Sequence, residues 1–535
     1  MKSLLTSDLK IKFLGITPLL KDNSGVLNPQ EIVALSALLT FKGKSINNLF
    51  KDIIKKGSLK EKISSILQKS SLRGHASIAT TPSLCLAYEG SKFLDSVLTG
   101  IYFSSSLVSS GRRTDTTEKD IVFPRKIFAQ KPARKIYQKT SEEIIQFLNF
   151  LLKEGIKKDE ASKILQYGIY GTGIIQLPIE SIIGVKREYE KEKEWMPEEV
   201  GFLLRQIEKN AKKMGIDWLY STRLAAPRNV FPYPNIFKNP KNTNLTRELR
   251  KKWDLNKGPQ LVSLDVTVPN SLREKLNNLE KETKKSFASL KKIKKNWLNL
   301  INLRQEILRD YNLAFRFKML SAIPWRVWGE RKRHRSCHQI IESIYYVIER
   351  AEKIFRKYKQ NIRSGSINKK LVDEIDKIFS IPPSVINNRK LLEKYLLIGL
   401  HSFETYRKLL KMGIRPRDAI FIIPRAVKND ILQEFDLYNL LTGYFPLRIC
   451  QTAEEEMRRI TLTEFGQIAK TLDKKGLSWL KKFIVPKCQI IGFCPEEKSC
   501  GMILGAVKTY NEKFHQEMKE DLKKRFEENL NNLGK

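Results

Sequence analysis

Residues 325–346 decide how this chain is interpreted, and they read Trp325-Arg-Val-Trp-Gly-Glu-Arg-Lys-Arg-His-Arg-Ser-Cys-His-Gln-Ile-Ile-Glu-Ser-Ile-Tyr-Tyr346. The five residues 331–335 are all of basic type, and Trp and Tyr flank them. Arginines of this kind bind phosphates, and aromatic side chains stack on flat rings. The composition suits RNA about as well as a nucleotide cofactor. A solvated basic turn is the simpler alternative.

The spacing of residues in this stretch favours the cofactor. Arg333-His334-Arg335, seven residues and then Ser343 resembles the signature of the flavin-dependent thymidylate synthases, which runs Arg-His-Arg, seven residues, Ser-x-Arg. Downstream, Leu447-Arg448-Ile-Cys-Gln-Thr-Ala453 resembles their second motif, a Leu-Arg-Leu segment followed four residues later by Ala-Gln-Trp-Glu-Ile-Arg. Residues 413–424 also lie where the family has a similar stretch. Three segments in the right order are more specific than the triplet alone.

The first half of the chain carries a diluted version of these motifs. The segment Gly74-His75-Ala76-Ser77 resembles the family's Gly-His-x-Ser, and Ser110-Gly111-Arg112 resembles its Ser-x-Arg. Counted back from Ser110, the Arg-His-Arg position falls on Gly-Ile-Tyr at 100–102 and is lost. The second half keeps Arg-His-Arg but has Tyr345 in place of the final Arg. Each half therefore keeps what the other lacks.

A further parallel indicates an internal repeat. Residues 154–165, Glu-Gly-Ile-Lys-Lys-Asp-Glu-Ala-Ser-Lys-Ile-Leu, match residues 412–423, Met-Gly-Ile-Arg-Pro-Arg-Asp-Ala-Ile-Phe-Ile-Ile, about 258 positions later. We predict an α+β (α/β) fold of two tandem thymidylate synthase-like copies, helix-rich with small antiparallel sheets. The predicted organisation is a first copy at 1–188, a linker and long Lys-rich helical region at 189–305, a second copy at 306–470 and a Cys-containing helical tail at 471–535.

The resemblance implies a reaction, which is the reductive methylation of dUMP to dTMP with FAD, methylenetetrahydrofolate and NADPH. The family's residue roles are carried over motif by motif. The residues with an implied catalytic role are Arg448, Arg333 and Arg335. Those implied to bind the flavin are His75, Ser77, Arg333, His334 and Arg335. Those implied to bind dUMP are Ser110, Gly111, Arg112, Glu330, Ser343 and Arg448.

The family's quaternary structure suggests how two incomplete copies could work together. Family members form homotetramers whose sites lie where subunits meet, so a fused chain needs one complete set of motifs per site. We hypothesise that Ser110, Gly111 and Arg112 face Arg333, Arg335 and Arg448 in a composite site. We also expect a homodimer that resembles the family tetramer.

Several family residues are replaced in this chain. The Glu two positions before Ser-x-Arg is Val108 in the first copy and Ile341 in the second, and the Gln three residues ahead of Arg-His-Arg is Glu330. The Gln-Trp of the second motif is Glu454-Glu455. One alternative is therefore a catalytically retired relative that binds a nucleotide or flavin without turnover.

Length and charge limit the remaining classes of protein. The 535 residues exceed one ordinary domain, and 98 Lys+Arg against 58 Asp+Glu give a net charge of +40. A nucleic-acid-binding protein that uses residues 325–335 and a Lys-rich helix at 271–308 is thus a second alternative. Apolar stretches such as 419–424 fall far short of the ~20 residues that cross a bilayer. We expect a cytoplasmic protein without membrane segments.

Three of the six cysteines are evenly spaced near the end of the chain, at Cys488, Cys494 and Cys500. Three thiolates could converge on a metal, but zinc sites usually show tighter pairs and a fourth ligand. Only the remote Cys450 or His515 could supply that ligand. Buried, reduced thiols are the favoured interpretation, and no metal is predicted.

Overall fold

The computed structural model describes residues 4–22, 25–43, 45, 48–49, 51–52, 59–73, 75, 77–110, 115–227, 234–242 and 244–533. The chain divides into two compact units. Unit 1 comprises Met1–Thr243, Pro324–Gly329 and Ile341–Asn429, and unit 2 comprises Asn244–Ile323, Glu330–Ile340 and Asp430–Lys535. Both units are discontinuous in sequence. The boundaries expected above for the two copies, the linker and the tail stay a prediction.

Helices dominate the described residues and are numbered here along the chain. The helices before residue 312 are α1 Pro29–Lys42, α2 Leu59–Lys69, α3 Ser77–Thr80, α4 Lys92–Leu98, α5 Arg125–Ala129, α6 Lys131–Lys153, α7 Lys158–Ala161, α8 Ile179–Glu192, α9 Glu198–Asn210, α10 Asp217–Ala225, α11 Leu245–Lys252, α12 Asn270–Phe287 and α13 Leu290–Tyr311. The helices after it are α14 Trp325–Arg331, α15 Ile344–Lys357, α16 Lys359–Arg363, α17 Lys369–Asp376, α18 Pro383–Ile386, α19 Arg389–Lys411, α20 Pro416–Ala419, α21 Leu437–Leu441, α22 Phe445–Arg448, α23 Glu455–Lys474, α24 Lys487–Ile491 and α25 Glu512–Asn532.

The strands are short and form two four-stranded sheets and two small ribbons. They are β1 Leu4–Leu5, β2 Lys10–Thr17, β3 Leu20–Asp22, β4 Gly25–Leu27, β5 Ser83–Ser91, β6 Ser105–Val108, β7 Val122–Phe123, β8 Tyr170–Pro178, β9 Gln260–Val266, β10 Phe315–Pro324, β11 His338–Ile341 and β12 Lys428–Asp436. The first sheet has the order β2-β5-β8-β6 and is antiparallel throughout. The predicted helix-rich α+β architecture with small antiparallel sheets is confirmed.

The second sheet, most of which lies in unit 2, repeats the order of the first. Read from β9, its order is β9-β10-β12-β11, with β9 antiparallel to β10. The nine-residue strands β8 and β12 begin at Tyr170 and Lys428, 258 positions apart. The four-residue strands β6 and β11 begin at Ser105 and His338, 233 positions apart. Strands in matching places of the two sheets are thus offset by 258 positions in one case and 233 in the other.

Two long helices of unit 1, α6 and α19, follow the same offset. Each has 23 residues, and their first residues, Lys131 and Arg389, are 258 positions apart. Each helix is followed by a glycine in the left-handed region, Gly155 and Gly413, both at φ 79°. Glycine adopts this conformation without the steric cost that a Cβ would add, so it ends both helices at the same point. The two helices pack against each other, and Thr140 and Thr405 share a hydrogen bond of 2.8 Å.

Aromatic side chains fill the interior of unit 1 beside its sheet. The buried Phe93 ring stacks on Phe421 at 4.2 Å between centroids and meets the edge of Trp325 at 5.4 Å. Tyr167 lies 4.2 Å from Trp325 and donates its hydroxyl hydrogen to the Trp325 carbonyl. Trp325, the first residue of the decisive stretch, is therefore a core residue of unit 1 and not a stacking surface.

The Lys-rich region expected as one helix at 271–308 is two helices. The prediction was wrong at Ser289, which is the N-cap of α13 and accepts a hydrogen bond from the Lys292 amide at 3.3 Å. A serine hydroxyl satisfies an amide that the first turn of a helix leaves unpaired, so it favours a new helix start over continuation. The helices α12 and α13 lie against each other.

Candidate active site

The Arg-His-Arg motif lies in unit 2, in the turns that connect α14 to β11. The Arg333 amide donates to the Glu330 carbonyl at 3.2 Å, and the His334 amide donates to the Arg331 carbonyl at 3.1 Å. The Cys337 amide then donates to the His334 carbonyl at 3.0 Å. These consecutive turns fix the backbone of the motif before any ligand is present.

The side chain of Arg331 anchors these turns from inside unit 2. It is fully buried, and its Nη2 contacts Glu464 Oε1 at 2.7 Å while its Nε donates to Gln433. Burial opposes the charge of Arg331, but the Glu464 carboxylate outweighs it, and the pKa of the guanidinium is raised. The guanidinium also lies over the Tyr444 ring, 5.1 Å from its centroid. Arg331 is therefore a charged structural residue.

The two sequence motifs meet at His334 and Arg448. The Arg448 Nε donates to His334 Nε2 at 2.8 Å, although the residues are 114 positions apart. Burial first, and then the Arg448 and Arg331 charges, lower the pKa of His334 from 6.5 to about 3. The imidazole is therefore neutral at physiological pH and accepts the arginine hydrogen. His334 also meets the Tyr444 ring edge to face at 5.0 Å.

Arg448 also faces a carboxylate at this site. Its nearest carboxylate is Glu330, with Nη1 and Oε2 3.7 Å apart, beyond hydrogen-bond distance. The Arg448 side chain is 20% exposed and that of Glu330 17%. The neutral His334 orients the guanidinium but does not neutralise it, and Glu330 is a loosely paired carboxylate beside a partly exposed arginine.

The two motif arginines beside His334 differ in exposure. Arg333 is exposed and Arg335 half-buried, and both lie in unit 2 with Arg448.

The side chain of Asn439 also holds the turn that follows the motif. Its Oδ1 accepts hydrogen bonds from Ser336 Oγ at 3.0 Å and from the Cys337 thiol at 3.2 Å. Burial raises the pKa of the Cys337 thiol to about 12, which excludes it as a thiolate nucleophile at neutral pH.

The other predicted site residues lie in unit 1. His75 and Ser77 are exposed next to α3, and the Ser77 carbonyl accepts from Thr80 at 3.0 Å. Ser343 is buried, caps α15 and donates its hydroxyl hydrogen to the Lys238 carbonyl at 2.5 Å. This bond gives Ser343 a structural role in the free protein.

The predicted dUMP segment is only partly described. Ser110 is half-buried, whereas Gly111 and Arg112 fall outside the described residues. Ser109 is held by the buried Lys92, whose Nζ donates to the Ser109 carbonyl at 2.6 Å and pairs with Asp95 at 2.8 Å. The residue before Ser110 is thus fixed by an ion pair inside unit 1.

Sequence reasoning missed the partners that hold the motif in place. Glu464 was not predicted because it belongs to no motif, yet it is fully buried in α23. The signal was present, because Glu464 lies on the helical face of Met457, Ile460 and Ile468, where a lone carboxylate needs a buried cation. Lys92 and Asp95 gave a similar signal three residues apart in α4.

Comparisons with known proteins match this region. The family model described as thymidylate synthase complementing protein matches residues 267–472. A flavin-dependent thymidylate synthase of Pyrococcus abyssi is 32% identical over 127 residues, 24% of this chain and 51% of that protein. One of Thermococcus onnurineus is 33% identical over 139 residues, 26% of this chain and 54% of that protein. The chain spans about half the length of the curated relatives it matches.

The solved structure of a UMP/dUMP methylase from Streptomyces cacaoi, bound with 5-Br dUMP, also matches. It is 13% identical, covers 42% of this chain and 98% of that chain, and has a TM-score of 0.32. That score is too low to carry a structural argument.

The family match covers one region of the chain. Residues 267–472, which hold both Arg-His-Arg and Arg448, belong to the thymidylate synthase complementing protein family. The resemblance to flavin-dependent thymidylate synthases inferred from those motifs is confirmed for this region. In the described residues, no helix has both the length and the apolar character that a membrane span requires.

Proposed function

We propose that this chain is a flavin-dependent enzyme that methylates dUMP to dTMP. The observation that carries the proposal is the hydrogen bond between His334 and Arg448, because it joins the two family motifs in one half-buried place. A retired relative would need neither an ordered pair nor a charged, partly exposed arginine there.

Arg448 is proposed to act on the pyrimidine. C5 is a stronger nucleophile towards a carbon electrophile when the uracil ring carries enolate-like negative charge on its carbonyl oxygen, and a fixed guanidinium stabilises such charge electrostatically. His334 is proposed as a positioning residue, since it accepts a hydrogen bond from the Arg448 Nε. No cysteine or serine nucleophile is needed in this scheme, in agreement with the raised pKa of the Cys337 thiol.

The donor set of the turn fits a flavin dinucleotide. Its pyrophosphate requires fixed cationic donors, and the exposed Arg333 and half-buried Arg335 lie on a backbone held by three consecutive turn hydrogen bonds. His75 and Ser77 are proposed as further flavin contacts. When bound, FAD supplies the redox and one-carbon transfer chemistry, with NADPH as reductant and methylenetetrahydrofolate as carbon donor.

The second part of the proposal is that the chain contains two tandem copies of one domain. It is supported by the matching strand orders, the offsets of 233 and 258 residues and the two 23-residue helices. Since the first copy lacks Arg-His-Arg, we propose that Ser110, Gly111 and Arg112 supply the dUMP phosphate contacts that the second copy lacks. Glu330 and Ser343 are proposed as weaker contributors to dUMP binding. We also propose a homodimer.

The experiment is to purify the full chain and record its visible spectrum and its NADPH oxidation with and without dUMP. A bound flavin together with dUMP-dependent oxidation supports the enzyme. Flavin without turnover identifies a retired relative. A colourless protein whose RNA affinity falls steeply with salt identifies the nucleic-acid alternative and defeats the proposal.

Arg112 gives a sharper test of the composite site. Replacing it by alanine removes a charge-assisted contact to the phosphate, so we expect the KM for dUMP to rise about tenfold or more. Arg113→Ala is the matched control and should leave KM within about twofold. Equal effects of the two substitutions on the KM for dUMP would show that the Ser110–Arg112 segment does not bind dUMP. Light scattering of the same preparations checks the dimer.

A further inference from the structure

The first sheet, in unit 1, has one buried face and one exposed face. Leu86 and Ile175 are buried on the inner face, and the residues that alternate with them point outwards. On the outer face, Ala87 pairs with Ile174, and Ile174 pairs with Leu107 on the edge strand β6. Ile174 is 44% exposed and Leu107 is 76% exposed. Apolar side chains of neighbouring strands therefore form a row that faces solvent.

The matching face of the second sheet, in unit 2, is covered. Strands β5 and β10 end 233 positions apart, so Leu320 takes the place of Ala87. Leu432 takes the place of Ile174, because β8 and β12 begin 258 positions apart. Leu320 is fully buried and Leu432 is only 5% exposed. The two sheets thus differ in whether another element lies on their outer face.

A short helix and the residues after it cover the second sheet. Leu249 of α11, Trp253 and Leu255 belong to one apolar cluster with Leu320 and Leu432. The helix α11 has eight residues and presents one apolar side to the strands. The equivalent surface of the first sheet is therefore suited to a helix of similar size with an apolar side.

The last described helix, α25, carries an apolar stripe that continues into solvent. The side chains that anchor this helix in unit 2 recur every four residues, at Phe514, Met518 and Leu522. The stripe continues with three apolar residues that are each more than half exposed, Phe526, Leu530 and Leu533. Apolar residues at this spacing lie on one side of a helix, and soluble proteins normally bury such a side.

We propose that the 526–533 end of α25 packs on the outer face of the first sheet of a second copy of this chain. The lengths agree, because seven residues of helix rise by about 10 Å and a row across four strands spans about 14 Å. The charges agree as well, since Glu527 and Glu528 are exposed beside Phe526, and Lys12 is exposed next to Ala87 on the edge strand β2.

The contact can be made twice between two copies. If each copy provides its α25 and receives the α25 of the other, the arrangement is isologous and closes as a two-fold dimer. The inference rests on the proposed homodimer, whose contact surface it names, and not on the methylation of dUMP.

The test joins the two surfaces by a disulfide between different chains. Leu107→Cys and Leu530→Cys are made separately in the full chain, with Cys500→Ser in both to remove an exposed thiol. After the two proteins are mixed and mildly oxidised, we expect a covalent dimer that neither protein forms alone. In the control mixture, Leu504→Cys replaces Leu530→Cys at another exposed leucine of unit 2, and we expect no such dimer.

Light scattering of full-length variants gives a second readout. The unaltered chain should have twice the mass of one chain. Leu530→Glu and Leu107→Glu should each weaken the dimer about tenfold or more, because each places a charge in the apolar contact. Leu504→Glu should leave the dimer unchanged. Circular dichroism checks the fold of these variants, whose altered positions are all exposed.

Two results would overturn this contact. A dimer that is equally stable in all variants, and that yields no disulfide beyond the control mixture, would place the homodimer on another surface. A monomeric chain, with or without a disulfide within one chain that carries both substitutions, would exclude a second copy as the occupant of the sheet. Formation of dTMP is measured separately, so a failure of the contact is distinguished from a failure of the proposed enzyme.

Discussion

Glu143 and His401 contact each other between α6 and α19, with 3.2 Å between Oε2 and Nδ1, and they are 258 positions apart. The same distance separates the first residues of the two helices. Glu143 in α6 therefore contacts the residue at the equivalent position of α19. Gln166 and Pro424, again 258 positions apart, form a β-bridge. Contacts between matching positions are what a two-fold axis between two copies of one domain requires.

The surroundings of the two helices match as well. Tyr137 donates its hydroxyl hydrogen to the Val122 carbonyl at 2.8 Å, and Tyr395 donates to the Ser380 carbonyl at 2.9 Å. The two tyrosines are 258 positions apart, and so are the two residues whose carbonyls accept from them. This agreement supports the tandem proposal from side-chain contacts, independently of motif resemblance.

The two tyrosines give a test of that equivalence. Tyr137→Phe and Tyr395→Phe each remove one buried hydrogen bond to a backbone carbonyl, so each should lower the free energy of unfolding by about 1 kcal/mol. Urea unfolding measures both. The exposed Tyr438→Phe is the control and should change it by less than about 0.5 kcal/mol. A large loss for one buried tyrosine and none for the other would count against matching roles.

The pKa of His334 predicts a loss of stability in acid. The pKa is about 3 in the folded protein and 6.5 in the unfolded chain, so the unfolded chain binds more protons between these values. Stability present above pH 6.5 is therefore lost as the pH falls, by about 2 kcal/mol at pH 5. His334→Gln keeps an acceptor for Arg448 and should remove that part of the loss. Urea unfolding at pH 7 and 5 checks it.

His338→Gln is the matched control for this measurement, since His338 is exposed four residues away. It should lose the same stability between pH 7 and pH 5 as the unaltered chain. If His334→Gln also loses as much as the unaltered chain, then His334 is not held neutral by its surroundings.

Breaking the buried Arg331–Glu464 ion pair should strongly lower the free energy of unfolding. Glu464→Gln removes the charge of residue 464 but keeps its volume. It should lower the free energy of unfolding by about 3–5 kcal/mol, because the buried Arg331 is left without a carboxylate partner. Replacing both, as Arg331→Met with Glu464→Leu, should cost less than Glu464→Gln alone. Glu434→Gln, at a partly exposed pair with Arg316, should cost less than about 1 kcal/mol. A double variant worse than the single one would contradict this account.

Arg448 is the residue on which the proposed chemistry depends. Arg448→Lys keeps a charge but loses the fixed fork that His334 orients, so we expect kcat to fall by about 10²-fold or more with a smaller change in KM. Arg459→Lys is the control, because Arg459 pairs only at 3.7 Å with Glu456 and is half exposed. Equal rates in the two variants would show that Arg448 does not act on the substrate.

The motifs could be found from the sequence because their spacing is local. Arg333-His334-Arg335 and Arg448 follow family patterns, and the Gly155 and Gly413 segments gave the repeat offset. The helix ends at those glycines were predictable because only glycine adopts their φ angles without strain.

The long-range partners could not be found in this way. Arg331 belongs to a run of basic residues that reads as solvated, and its burial depends on Glu464, 133 positions away. Sequence periodicity places a side chain on a face of a helix but does not say which distant element covers that face.

The most direct test of the central claim is to incubate the purified full chain with dUMP, methylenetetrahydrofolate, NADPH and FAD, and to analyse the nucleotides by mass spectrometry. We predict that dTMP forms, that its formation needs methylenetetrahydrofolate, NADPH and bound flavin besides dUMP, and that Arg448→Lys slows it while Arg459→Lys does not. A flavin-loaded protein that leaves dUMP unchanged under these conditions would contradict the claim.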